Sequence, residues 1–149
     1  MKGLLVFSLT LLSFISLAQS NSDDILRRAE VMPVFQQCED ERFADAPYPC
    51  TMKQLSDYIK ANVKVDVPSG NITKCVLTLV VEKDGSVSDV QLTRGVVVNS
   101  DENQEKQALE AELNAKVRTV VEGIKFVMPG YQNGEKVRVM LQLSASVNY

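Results

Sequence analysis

The sequence predicts a small α+β domain, a three-stranded antiparallel sheet with two helices packed on one face. Three stretches carry that expectation. Residues 76–95 read VLTLVVEKDGSVSDVQLTRG, two apolar runs joined by Lys83-Asp84-Gly85-Ser86; Asp-Gly between alternating strands is a strong hairpin signal, because the turn needs a positive φ that Gly takes without strain. Residues 135–147 alternate Val137, Val139, Leu141 and Leu143 against Arg138, Met140, Gln142 and Ser144, the period-2 pattern of a third, half-buried strand. Two segments with apolar residues at helical spacing, one before the hairpin and one after it, supply the cover.

The elements follow in chain order. Residues 1–18 hold Lys2 and then a largely apolar run, with small residues at Ser16 and Ala18. This predicts a secretory signal peptide cleaved after Ala18, with Ser20 a second option. Ser8, Thr10, Ser13 and Ser16 interrupt the run, whereas a membrane span needs about 20 mostly apolar residues. The division expected is therefore 1–18 signal peptide, 19–29 lead-in and 30–149 domain. Residues 21–30, NSDDILRRAE, fit either a short helix or a mobile lead-in. VMPVF at 31–35 is an extended apolar segment, since Pro33 biases Met32 toward β.

Cys38 and Cys50 bracket a polar, Pro-containing stretch. In an oxidising compartment the pair reads as a disulfide closing a short loop. A metal site is the alternative, but the chain has no His to complete one. Thr51 and Gln54 then form a T-x-x-Q capping box, which predicts a helix over 52–62 with Met52, Leu55, Ile59 and Val63 on one face. On the first hairpin strand Cys75, Leu77, Leu79 and Val81 share a face, so Cys75 is expected as a buried thiol. Val90 and Leu92 are the apolar pair of the second strand, and Val96-Val97-Val98 can extend it. Ser100 or Asp101 caps a second helix whose stripe is Leu109, Leu113, Val117, Val120, Val121 and Ile124, with Gly123 at its end. Pro129-Gly130 and Asn133-Gly134 mark turns. Placing the third strand beside the first gives the order second–first–third and leaves the C-terminal strand on an edge.

Composition excludes several functions. The net charge is −3 and no Lys/Arg cluster stands out, so nucleic acid is a poor partner. Without His, Ser-His-Asp and Cys-His nucleophile systems are impossible. The carboxylate pairs Glu39/Glu41 and Glu110/Glu112 read as surface charge in a loop and on a solvated helix face. The expectation is a non-enzyme with no cofactor and no metal.

Two longer stretches carry a resemblance. VVEKDGSVSDVQLTRGV (80–96) and MPGYQNGEKVRVMLQL (128–143) are similar to the V-V-x-x-D-G-x-V-x-D-V and P-G-x-x-N-G-x-x-V-x-V words of the C-terminal domain of TonB-type energy transducers. VMPVF, LSDYIKANVK and SGNIT are weaker echoes in the same order. The likeness covers roughly residues 30–147. It departs at Val65-Asp66, where members usually have Tyr-Pro, and in the longer, acidic start of the second helix. It implies the α+β fold above and a Cys38–Cys50 bridge, which some relatives share. It also implies a periplasmic domain that captures the periplasmic segment of an outer-membrane transporter by strand addition. The residues implied are the edge-strand positions Val137, Arg138, Val139, Met140, Leu141, Gln142, Leu143 and Ser144. No Pro-rich arm accompanies the domain, so a standalone exported form is expected. Two other readings stand beside it. One is a secreted disulfide-stabilised structural or inhibitory module acting through the charged run 39–42; the other is a strand-paired homodimer.

Overall fold

A computed structural model describes residues 24–36, 38, 49–65, 70–99 and 103–149. The expected leader, the charged run 39–42 with Glu39 and Glu41, and the caps at Ser100 and Asp101 lie outside these residues. The elements are β1 (Ile25–Leu26), α1 (Pro49–Asn62), β2 (Ile72–Val81), β3 (Val87–Arg94), α2 (Asn103–Glu122), β4 (Gly130–Gln132) and β5 (Glu135–Asn148). The class is α+β, and β2 is central, flanked by β3 and β5 as its doubly apolar sequence requires. It pairs antiparallel with β5 without a break from Ile72↔Asn148 to Val81↔Val139.

The sheet is mixed and has five strands, not three antiparallel ones. β1 pairs parallel with β5, Ile25 opposite Arg138 and Leu26 opposite Val139. A two-residue strand carries no periodicity, so the lead-in gave no sign of it. β4 pairs with residues 135–137 of β5 across a two-residue turn, Asn133 (φ 51°) and Gly134 (φ 78°). Both residues are left-handed, the geometry of a type I′ turn, so the Asn-Gly turn itself forces its arms together. The extended segment at 31–35 docks on this hairpin: Val31 and Tyr131 exchange backbone hydrogen bonds, and the Val34 N–H donates to the Met128 carbonyl.

One face of the sheet is covered, α1 lying over β5 and α2 over β3. Cys75, Leu77, Leu79 and Val81 of β2 meet Leu55, Ile59 and Val63 from the first helical segment and Leu113, Val117 and Val121 from the second, all essentially inaccessible to solvent. Leu109 and Val120 of the predicted stripe pack against this core partly buried. Phe35 bridges to Tyr58 and Phe126 in edge-to-face contacts, each with centroids 5.7 Å apart.

α1 begins at Pro49, so Thr51 is not its N-cap. Proline is favoured at the first helical position because its missing N–H has no intrahelical partner there. The buried Thr51 hydroxyl accepts instead from the Phe35 N–H (3.2 Å), tying the extended segment to the helix. The disulfide between Cys38 and Cys50 joins the same two pieces.

The Asp-Gly turn forms as read. Gly85 has φ 83°, and the Glu82 N–H donates to the Ser86 carbonyl (2.8 Å). Past Gly95 the chain does not continue β3. Its amides are taken by side chains on alternating sides: Val96 by Asn114 Oδ1 (2.8 Å) and Val98 by Glu110 Oε1 (2.9 Å), both on α2. Thr73 Oγ1 accepts from Val97 (3.3 Å) and the Tyr149 hydroxyl from Asn99 (3.0 Å).

Candidate functional site, the outer edge of the last strand

In an antiparallel ladder, alternate residues exchange both backbone hydrogen bonds with the partner, and those between aim theirs the other way. Tyr149 and Asn71 exchange N–H···O bonds of 3.0 and 3.1 Å. With the unbroken register, this fixes the parity of β5. Val139, Leu141, Leu143, Ala145 and Val147 aim their backbone groups at β2, and their side chains are buried in the core. Met140, Gln142, Ser144, Ser146 and Asn148 aim their N–H and C=O groups at the opposite edge. The Met140 N–H meets the Leu26 carbonyl of β1, and among the described residues no strand covers that edge over 141–148.

The eight positions implied at sequence level therefore divide. Gln142 and Ser144 present backbone groups at the open edge, and Met140 presents its carbonyl, its N–H being spent on Leu26 of β1. Leu141 and Leu143 are core residues whose backbone is spent on β2. Val137 is paired with Gly130 of β4, Arg138 with Ile25 of β1, and Val139 is flanked by Leu26 on one side and Val81 on the other. Ser146 and Asn148 belong to the edge and were missed. The same alternation, continued through Ala145 and Val147, would have found them.

Arg138 is not a solvent-side neighbour of the edge. Its Nε donates to Glu82 Oε2 (2.8 Å) and its Nη2 to Glu82 Oε1 (2.9 Å), a two-pronged ion pair between β5 and the residue following β2. The Arg138 guanidinium holds the Glu82 carboxyl below its usual range against partial desolvation, with the Ser88 hydroxyl adding to the effect. Both side chains, with Lys83, Asp84 and Ser86, line a shallow open depression beside the hairpin turn.

The two outer edges of the sheet differ. β3 is irregular against β2, with register shifts at Val76/Leu77 and Thr78/Val80, and Asp89 sits at φ 48°. Thr93 Oγ1 donates to the Val76 carbonyl (3.1 Å) within the irregular ladder, and Arg118 of α2 donates to the Val90 carbonyl. The bulges and the Arg118 side chain blunt that edge. β5 has no register shift against β2, no Pro and, from Val139 to Tyr149, no charged residue. It lacks the devices that keep edge strands from pairing.

The remaining candidates have structural roles. Glu110 is half-buried and serves the Val98 amide, while Glu112 pairs with Lys116 (2.6 Å) on the helix surface. Cys75 is a buried free thiol, its pKa pushed up by burial. Among the described residues no cluster of three metal-ligating side chains occurs, and no helix is long and apolar enough to cross a membrane. No protein-family model matches the chain, and no curated protein is significantly similar to it.

Proposed function

We propose that this chain is a non-catalytic periplasmic domain that binds extended segments of outer-membrane transporters by strand addition to the outer edge of β5. The observation that supports it is the asymmetry of the two sheet edges. Over 141–148, among the described residues, the outward N–H and C=O groups of Gln142, Ser144, Ser146 and Asn148 meet no strand, and this stretch carries no charged side chain. An incoming extended peptide satisfies these groups with main-chain bonds, which supply affinity, while alternate side chains set selectivity. Met140, Gln142, Ser144, Ser146 and Asn148 also carry the outward side chains, so one set of residues governs both. The sequence resemblance to TonB C-terminal domains supplies the class of partner.

The test is capture of an outer-membrane transporter from detergent-solubilised outer membrane and periplasm. The variant to run beside wild type is Ser144→Pro. It removes an edge donor while leaving the β2 ladder intact, because the Ser144 amide points away from β2. Arg138→Pro is unsuitable, since it disturbs the β1 pairing and the Glu82 ion pair. Transporter recovered by wild type and lost in Ser144→Pro supports the proposal. Recovery of no transporter by the folded wild type, or equal recovery by both proteins, overturns it.

A further inference from the structure

We propose that β1 is a displaceable stop that sets the length of strand this edge accepts; the inference rests on the peptide-binding reading above. The residues that aim backbone groups at the open edge run Asn148, Ser146, Ser144, Gln142, Met140, and the next in line is Arg138. It faces Ile25 of β1. The parallel pairing of Leu26 with Val139 also takes the Met140 N–H, so a seven-residue strand laid along 142–148 ends where β1 begins. An eleven-residue strand reaching Arg138 must push β1 aside.

β1 is built to give way. It is two residues long, Ile25 is 37% exposed, and Asp24, Arg27 and Arg28 around it are exposed. Leu26 is its one anchor, partly buried against the core. The chain just after it is held independently. Ala29 is buried, the Glu30 N–H donates to Gln132 Oε1 (3.1 Å), Glu30 Oε2 accepts from the Asn133 N–H (2.9 Å), and Val31 pairs with Tyr131. Losing β1 therefore leaves the ties at Ala29, Glu30 and Val31 in place. A short strand tethered within a few residues of its site re-closes as an intramolecular competitor at high effective concentration. The edge thus discriminates by length: short strands bind without touching β1, and longer ones gain nothing from their extra residues unless they meet the cost of opening it.

The probes are two blocked peptides of alternating Thr and Val with a Lys at each end, pairing over seven and eleven residues. They are titrated against the full chain, against Ile25→Pro/Leu26→Pro, and against Leu26→Ala, with folding of each checked by thermal melts. In wild type the longer peptide binds no tighter than the shorter. In the double Pro variant the longer peptide is expected to gain about tenfold over the shorter, from the main-chain groups newly available at Arg138 and Met140. In Leu26→Ala, which weakens the anchor without altering the backbone, an intermediate gain is expected. The same ratio of the two affinities in all three proteins overturns the stop while leaving strand addition standing, as does weaker binding of both peptides when β1 is disrupted. No binding of either peptide to any folded form overturns the strand-addition reading and this inference with it.

Discussion

Arg138 and Glu82 stand opposite each other at the point where β5 passes the end of β2, joined by two parallel N–H···O bonds of 2.8 and 2.9 Å. Side-chain exposures of 29% and 25% leave the pair partly shielded from water. A pair with this geometry is worth more than a solvated one, so Glu82→Gln is expected to cost about 1–2 kcal/mol at neutral pH. The carboxyl is depressed in the folded state, so its contribution is complete above about pH 4.5, the ordinary Glu value, and is lost as pH falls through the lower folded value. Melts of wild type and Glu82→Gln should differ at pH 7, and the difference should shrink as pH falls below about 4.5. A difference that does not shrink with acidification would show that the ion pair is not its source.

Two turn glycines separate backbone strain from collision. Gly85 and Gly134 have nearly the same φ, 83° and 78°. A Cβ on Gly85 would lie 2.5 Å from the Phe126 carbonyl oxygen, whereas nothing lies within 4 Å of one on Gly134. Gly134→Ala should therefore cost only the left-handed penalty, about 1 kcal/mol. Gly85→Ala adds displacement of the Phe126 backbone, which itself donates to the Gly85 carbonyl (2.8 Å), and should cost at least about 2 kcal/mol more. Chemical denaturation of the two variants gives the comparison directly.

The Cys38–Cys50 bridge closes a loop with a sequence separation of 12. Loop-closure entropy puts its contribution at about 3 kcal/mol. The paired Cys38→Ser/Cys50→Ser variant should show a correspondingly lower denaturation midpoint with the sheet signature retained, since Cys75, Leu77, Leu79 and Val81 of β2 pack against residues of both helical segments. Cys75 provides an internal reporter. Its burial predicts labelling by a thiol reagent only on unfolding, in wild type and variant alike.

The extended segment after β3 makes a residue-by-residue prediction. Asn114→Ala removes the acceptor of the Val96 amide and Glu110→Ala that of Val98. Each is expected to cost about 1 kcal/mol and to raise hydrogen exchange at its own amide first. Exchange rising equally at both amides in either variant would mean that the segment opens as one unit.

What the sequence disclosed follows from the range over which each signal acts. The hairpin, the central place of β2, the two covering helices and the Asn-Gly turn are written in periodicity and turn chemistry over ten or more neighbouring residues. Cys75, Leu77, Leu79 and Val81 lie where alternation put them. β1 and the ties at Val96 and Val98 are different. They depend on Ile25 meeting Arg138 and on Asn114 meeting Val96, residues far apart in the chain with no local pattern that announces either contact. Thr51 shows the converse failure. A local capping signal was present, and the long-range demand of the Phe35 amide together with Pro49 at the helix start overrode it. The candidate edge was legible as a strand but not residue by residue, because its parity rests on the mutual bonds of Asn71 and Tyr149.

The irregular β3 has a consequence for crowding in a concentrated compartment. If two copies of this domain join through β5, the combined sheet carries a β3 rim in each copy, kinked at Asp89 and with the Val90 carbonyl taken by Arg118. These β3 rims are poor templates for a third copy, so they work against growth of such a pair into a fibre.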